Sequence, residues 1–162
     1  MRARRLSRVA GAVAATVLSG AAQAPEPVVR WGMSQAEVEA AVPNARPMRW
    51  GRTQGGAQAR TQATQQFGTL ELPARYSYSD MGLVRVSFEA PPRRCRDLAA
   101  VLVAEHGEPL RSSDQVLLQL FIWHQPEIDR RLRLMTSSAG ICELTYEPLA
   151  EYREHDLASA PN

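Results

Sequence analysis

Apolar and polar positions alternate along this chain with two periods, and each change of period marks an element. Ser34-Gln35-Ala36-Glu37 reads as a capping box, in which the Ser34 hydroxyl accepts from the Glu37 amide and the Glu37 carboxylate accepts from the Ser34 amide. Met33 before the cap and Val38 after it are spaced for a hydrophobic staple. A short helix to about Val42, stopped by Pro43, is the expectation. From Gly51 to Gln66 the chain is Gly, Gln, Thr and Ala without apolar periodicity, which predicts a mobile loop. The period then falls to two. Tyr76 and Tyr78, then Val84, Val86 and Phe88, alternate with polar residues around an Asp80-Met81-Gly82 turn, the pattern of a half-buried antiparallel hairpin ended by Pro91-Pro92. Leu98, Val101, Leu102 and Glu105 return to helical spacing between Arg94 and His106, with Gly107 and Pro109 as the stop. An apolar run from Val116 to Trp123, a turn at Gln125-Pro126, an Arg-Leu alternation from Arg130 to Met135 and a last strand from Ile141 to Tyr146 complete the series.

The segment Gly82 to Glu89 matches Gly140 to Glu147 at a constant offset of 58 residues, and the same offset pairs Arg75 with Arg133 and Ser79 with Ser137. The implied fold is α+β: two tandem helix-plus-antiparallel-hairpin or meander repeats, about 31–91 and 93–148, with the helices packed on one face of the sheet. A tail follows from 149 to 162.

Gly32-Met33-Ser34-x-x-Glu37-Val38, ending at Pro43, resembles the first-helix motif of the small outer-membrane assembly proteins of the BamE (SmpA) type. The second helix, ending in His106-Gly107-Glu108-Pro109, is similar to the same group's helix followed by Gly-x-Pro. That group shares its helix-plus-sheet unit with the beta-lactamase inhibitor proteins, which are tandem duplications of it. The resemblance implies the fold and, through the second group, inhibition of an envelope enzyme. The chain lacks the lipidated cysteine of the first group and carries Pro43 where glycine is usual.

The first 24 residues stand apart from these patterns. Arg2, Arg4, Arg5 and Arg8 precede an uncharged stretch from Val9 to Leu18 and then small residues up to Ala24, the order of a secretory signal peptide with cleavage after Ala22 or Ala24. The apolar run is about half the roughly 20 residues that a membrane span needs, so no stable membrane span is expected once it is removed. Its loss also changes the charge. The chain has 19 basic and 17 acidic residues; without the four leader arginines 15 basic residues face 17 acidic ones. The net charge moves from +2 to about −2, which removes the electrostatic support for a nucleic-acid partner. With 162 residues, 44% hydrophobic and 22% charged, the remainder is one domain able to bury a core, periplasmic or secreted.

Export gives the two cysteines a meaning. Cys142 takes the place of Val84 in the offset alignment and so faces inward, while Cys95 opens the helix across that face; a Cys95–Cys142 disulfide is expected. Little else points to chemistry. His106, His124 and His155 are scattered, and His124-x-x-Glu127 lies at a proline turn with no third ligand nominated, so neither metal nor cofactor is expected. Glu127 and Asp129 form an acid pair without a recognisable pocket, and no nucleophile elbow, phosphate loop or zinc-protease helix occurs, which argues against an enzyme. If Leu118, Leu120 and Ile122 face the helices, Phe121 and Trp123 lie on the opposite face, and inward Leu132 and Leu134 put Arg131 and Arg133 beside them. Exposed aromatic and arginine side chains compose interaction hot spots. Phe121, Trp123, Arg131 and Arg133 are thus the candidate contacts for a protein of the cell envelope. An envelope-enzyme inhibitor and a small-ligand or lipid binder are the alternatives.

Overall fold

The computed structural model describes residues 29–158 except 50, 52 and 116. The signal segment therefore lies outside the described residues. Among these, nine strands form one antiparallel sheet, accompanied by three α-helices.

Helix α1 (Gln35–Ala41) begins at the expected capping box, with both reciprocal hydrogen bonds formed, and ends at Val42. After the short strands β1 (Arg46–Pro47) and β2 (Thr53–Gln54) come three long ones, β3 (Ala57–Phe67), β4 (Leu70–Ser79) and β5 (Gly82–Glu89). A 3-10 turn at Pro92–Arg94 leads into α2 (Cys95–His106), which stops at Gly107 with φ +76°. The strands β6 (Arg111–Gln115), β7 (Leu118–Gln125), β8 (Arg130–Ser137) and β9 (Cys142–Pro148) follow, and α3 (Arg153–Ala158) closes the described chain. The strand order is β1-β3-β4-β5-β9-β8-β7-β6, with β2 also on β3. Two meanders thus meet at the central β5–β9 pair, where Ser87 lies opposite Thr145.

Cross-strand partners share a face, so the registers sort every side chain. One face carries Leu72, Ala74, Tyr76, Val86, Phe88, Leu144, Tyr146, Leu132, Leu134 and Trp123. Val38 and Val42 of α1 and Leu98 and Leu102 of α2 belong to the same buried cluster, so both helices cover this face. Phe67, Phe88 and Tyr146 meet edge-on within it. Burial holds the hydroxyls of Tyr76 and Tyr146 well above the ordinary tyrosine range. The Cys95–Cys142 disulfide ties the first turn of α2 to β9, as expected, with 5.7 Å between the Cα atoms.

Two expectations are corrected. Gly51 to Gln66 is not a loop: most of it is β3, whose Ala57, Ala59, Thr61 and Ala63 are buried while Gln58, Arg60 and Thr64 are exposed. Alternation is present, in small side chains that carry no hydrophobic signal. In β5 the inward residue near the turn is Leu83, not Val84, because Val84 is the extra residue of a bulge where the register passes from Ser77↔Arg85 to Tyr78↔Leu83. Leu83 is then tied to the start of the fold, its amide donating to Met33 O at 2.8 Å and its carbonyl accepting from Gly32 N at 2.9 Å. The approach leaves no room for a side chain at Gly82, φ +95°, whose Cβ would run into the Gly32 backbone.

Candidate functional site

The second face of the sheet is polar. Arg75 and Ser77 of β4, Arg85, Ser87 and Glu89 of β5, Glu143, Thr145 and Glu147 of β9, and Arg131 and Arg133 of β8 all point to it. Strand alternation places them there: the positions between core residues are free to carry charge wherever no helix covers them.

At one end this face is covered by the tail. Asp156 of α3 is fully buried and takes a forked pair of hydrogen bonds from Arg131, Nε to Oδ2 at 2.6 Å and Nη2 to Oδ1 at 2.9 Å. His124 adds a contact at 2.9 Å, and the Tyr152 ring lies 4.6 Å from the Arg131 guanidinium carbon. Burial pushes the Asp156 carboxyl up, but the hydrogen bonds from Arg131 and His124 outweigh it and hold the group below its ordinary value. Glu147 extends the cluster, giving Oε2 to Arg131 at 2.8 Å and Oε1 to Arg85 at 3.1 Å. The tail is fixed before α3 as well, since Asp129 Oδ1 accepts from the Ala150 amide and its carbonyl accepts from Leu149 and from the Trp31 indole.

At the other end the face is open. A depression of about 500 Å³ is floored by Arg75, Ser77, Arg85 and Ser87 and rimmed by Thr53 and Gln54 on one side and Met135 and Ile141 on the other. The floor is a checkerboard: Arg75 lies opposite Ser87 and Ser77 opposite Arg85. Ser77 and Ser87 are only 7% and 8% exposed, yet no hydrogen bond joins either hydroxyl to another described residue. Arg75 grips both oxygens of Glu89, and this pairing holds its guanidinium above its ordinary value. A polar site of this size, on rigid strands, has the volume of a small-ligand or side-chain pocket.

The candidate contacts read from the sequence do not form one patch. Trp123 is 3% exposed, sits on the helix face and donates its indole N–H to Gly107 O at 2.8 Å. Phe121 is half-buried on that same face, in a groove between α2 and β7 beside Arg96 and Leu134. Arg131 and Arg133 are on the opposite face. The reason is register: Trp123 pairs with Leu132 and Phe121 with Leu134, so inward leucines force the aromatics inward too, and a one-residue slip of β7 would reverse this. Arg131 is buried by the tail, and the half-buried Arg133 lies 3.5 Å from Thr145 Oγ1 and 3.9 Å from Glu147.

The remaining polar candidates serve the fold. His106 contacts Gln125 at 3.2 Å, His124 is in the tail cluster, His155 is exposed, and Glu127 lies exposed in a 3-10 turn with Asp129 just after it at φ 47°. No group of three His, Cys, Asp or Glu among the described residues is placed to hold a metal ion. No helix among them is long and apolar enough to cross a membrane.

The depression itself had escaped the sequence reading. Its trace was the outward Arg85-x-Ser87-x-Glu89 of β5 and Glu143-x-Thr145-x-Glu147 of β9, small hydroxyls flanked by charges.

No family model and no curated protein matches the chain. Among solved structures, a DUF4309 family protein, YjgB, from Bacillus subtilis is similar at a TM-score of 0.47 and 12% identity, covering 75% of this chain and 82% of its own.

Proposed function

We propose that this chain is an exported, non-catalytic binding module of the cell envelope, periplasmic or secreted, that recognises a protein partner through the open, polar end of its sheet. The depression carries the reading. Two buried hydroxyls without protein partners, set between fixed guanidiniums and carboxylates on rigid strands, form a pre-organised polar surface that binding can use at little ordering cost. The disulfide supports export, since such bonds persist in oxidising compartments. A small polar ligand is the second reading, favoured by the 500 Å³ volume.

The two halves of the sheet are, in the same reading, copies of one unit. The pairing of β8 with β9 repeats that of β4 with β5 moved by the 58-residue offset: Ala74↔Phe88 becomes Leu132↔Tyr146, and Arg75↔Ser87 becomes Arg133↔Thr145. Val38 and Val42 of α1 have counterparts in Leu98 and Leu102 of α2.

A photo-crosslinking residue at position 141, on the rim, tests the recognition site in living cells of the source organism. The expected result is one discrete protein adduct that disappears when Ser87→Trp fills the depression and the melting temperature is kept. No adduct, or one indifferent to the filled depression, refutes the site.

A further inference from the structure

The charges on the open face are paired except at one place. From the central Ser87↔Thr145 pair, two residues one way lead to Arg85 and Glu147, joined by an ion pair at 3.1 Å. Two residues the other way lead to Glu89, directly opposite Glu143. Glu143 therefore holds on β9 the place that Arg85 holds on β5, and the second position sets two carboxylates side by side where the first joins a cation to an anion. Like charges directly opposite destabilise a sheet pair. Arg75 reaches in from β4, but its fork is spent on both oxygens of Glu89. Arg133, the other nearby cation of this face, is turned to Thr145 and Glu147. Glu143 is left half-buried at the edge of the depression with no ion pair or hydrogen bond to any described residue.

The open end thus combines one cation with two carboxylates, and beside them are the partnerless hydroxyls of Ser77 and Ser87. An anion finds no vacant guanidinium here, because Arg75 is already on Glu89 and Arg85 on Glu147. A bare metal ion lacks a third carboxylate or imidazole ligand in this group. We infer that the depression receives an organic cation, an alkylammonium or guanidinium group, whose charge sits against Glu143 beside Glu89 and whose neighbouring polar atoms bond to Ser77 and Ser87. This rests on the reading of the depression as the recognition site and adds the chemistry of what enters it. The cation is a basic side chain of the partner or a free amine.

Backbone amide shifts of the isotope-labelled protein test it. Nα-acetyl-lysine methylamide is expected to shift the amides of Ser77, Ser87 and Glu143 saturably, at least ten-fold more tightly than the norleucine or glutamate analogue. Glu143→Gln, which keeps the shape, is expected to weaken the lysine probe at least ten-fold with an unchanged melting temperature, and raised salt to weaken it in the wild type. An acetylated Ala-Ala-Lys-Ala-Ala peptide at least five-fold tighter than pentylamine identifies a partner's side chain as the source; equal affinities identify a free amine. Equal shifts from the norleucine or glutamate probe, or indifference to Glu143→Gln, overturn the cation assignment while leaving the recognition site standing. No shift from the lysine probe overturns the inference too; an adduct at position 141 would then still uphold the site.

Discussion

Breaking the Cys95–Cys142 bridge is expected to cost this protein a large share of its stability while leaving its native structure almost unchanged. The two cysteines are 47 residues apart in sequence. Closing a loop of that length removes about 14 cal/mol/K of chain entropy from the unfolded state, or about 4 kcal/mol at 25 °C on the chain-entropy model. Replacing both cysteines by alanine also deletes two sulfurs from a buried site, which adds about 1 kcal/mol. The native fold has other means of holding α2: Leu98 and Leu102 are fully buried, and Trp123 donates to Gly107 just past its last turn. The loss therefore falls mainly on the unfolded side. Against a typical total of about 5–15 kcal/mol, the double variant still folds but with a much earlier transition. Guanidinium unfolding followed by far-UV circular dichroism measures it: unchanged native spectra and a free energy lower by about 4–5 kcal/mol are expected. A difference below about 1.5 kcal/mol would refute the reasoning, and so would loss of native α2 signal before the main transition, which would make the bridge a native-state clamp.

Two further substitutions probe the two faces. Asp156→Asn removes the anion that Arg131 grips, leaving a buried cation short of a partner at a cost of about 3–5 kcal/mol if α3 stays docked; undocking relieves it, so hydrogen exchange is expected to quicken in 149–158 while the central strands stay protected. Because Asp156 is held below its ordinary value of 3.8, its contribution is present above that pH and is lost only as the pH falls through the lower folded value. The wild-type tail is therefore expected to stay docked at pH 4, and tail exchange that rises between pH 6 and 4 would contradict this. Trp123→Ala is expected to cost about 3–5 kcal/mol in thermal unfolding, as a large buried aromatic does; a loss under 1 kcal/mol would return Trp123 to the surface.

Local chemistry was legible in the sequence and face assignment was not, for a physical reason. The capping box at Ser34 and Glu37, the Gly107 stop of α2 and the Gly82 turn each depend on a few neighbouring residues, so their residue types name them. The disulfide followed from one correct alternation in β9. In β7 both parities are apolar, Leu118, Leu120 and Ile122 on one and Phe121 and Trp123 on the other, and periodicity cannot choose between them. Register chooses, and it depends on β8 and on which side chains fill the space under α2. Ile122 is buried all the same, on the opposite face from the aromatics. The β3 strand was missed because inward positions beside α1 hold Thr61 and Ala63: Thr61 Oγ1 donates to Glu39 and accepts from Tyr78, a polar packing that hydrophobicity does not register.

The tail cluster and the depression are not independent, because one carboxylate serves both. Glu147 gives Oε2 to Arg131 under the tail and Oε1 to Arg85 in the floor of the depression, and it is almost fully buried. A buried cluster of this kind costs desolvation that well-packed apolar residues would not, so stability alone does not account for it. What it supplies is position. With Glu147 fixed from both sides, the Arg85 guanidinium is held against Gln54 O and beside Ser77, and the checkerboard floor stands ready without side chains having to order on contact. The covered end of the face thereby pre-organises the open one, and a charge removed at Asp156 reaches the depression through a single shared side chain.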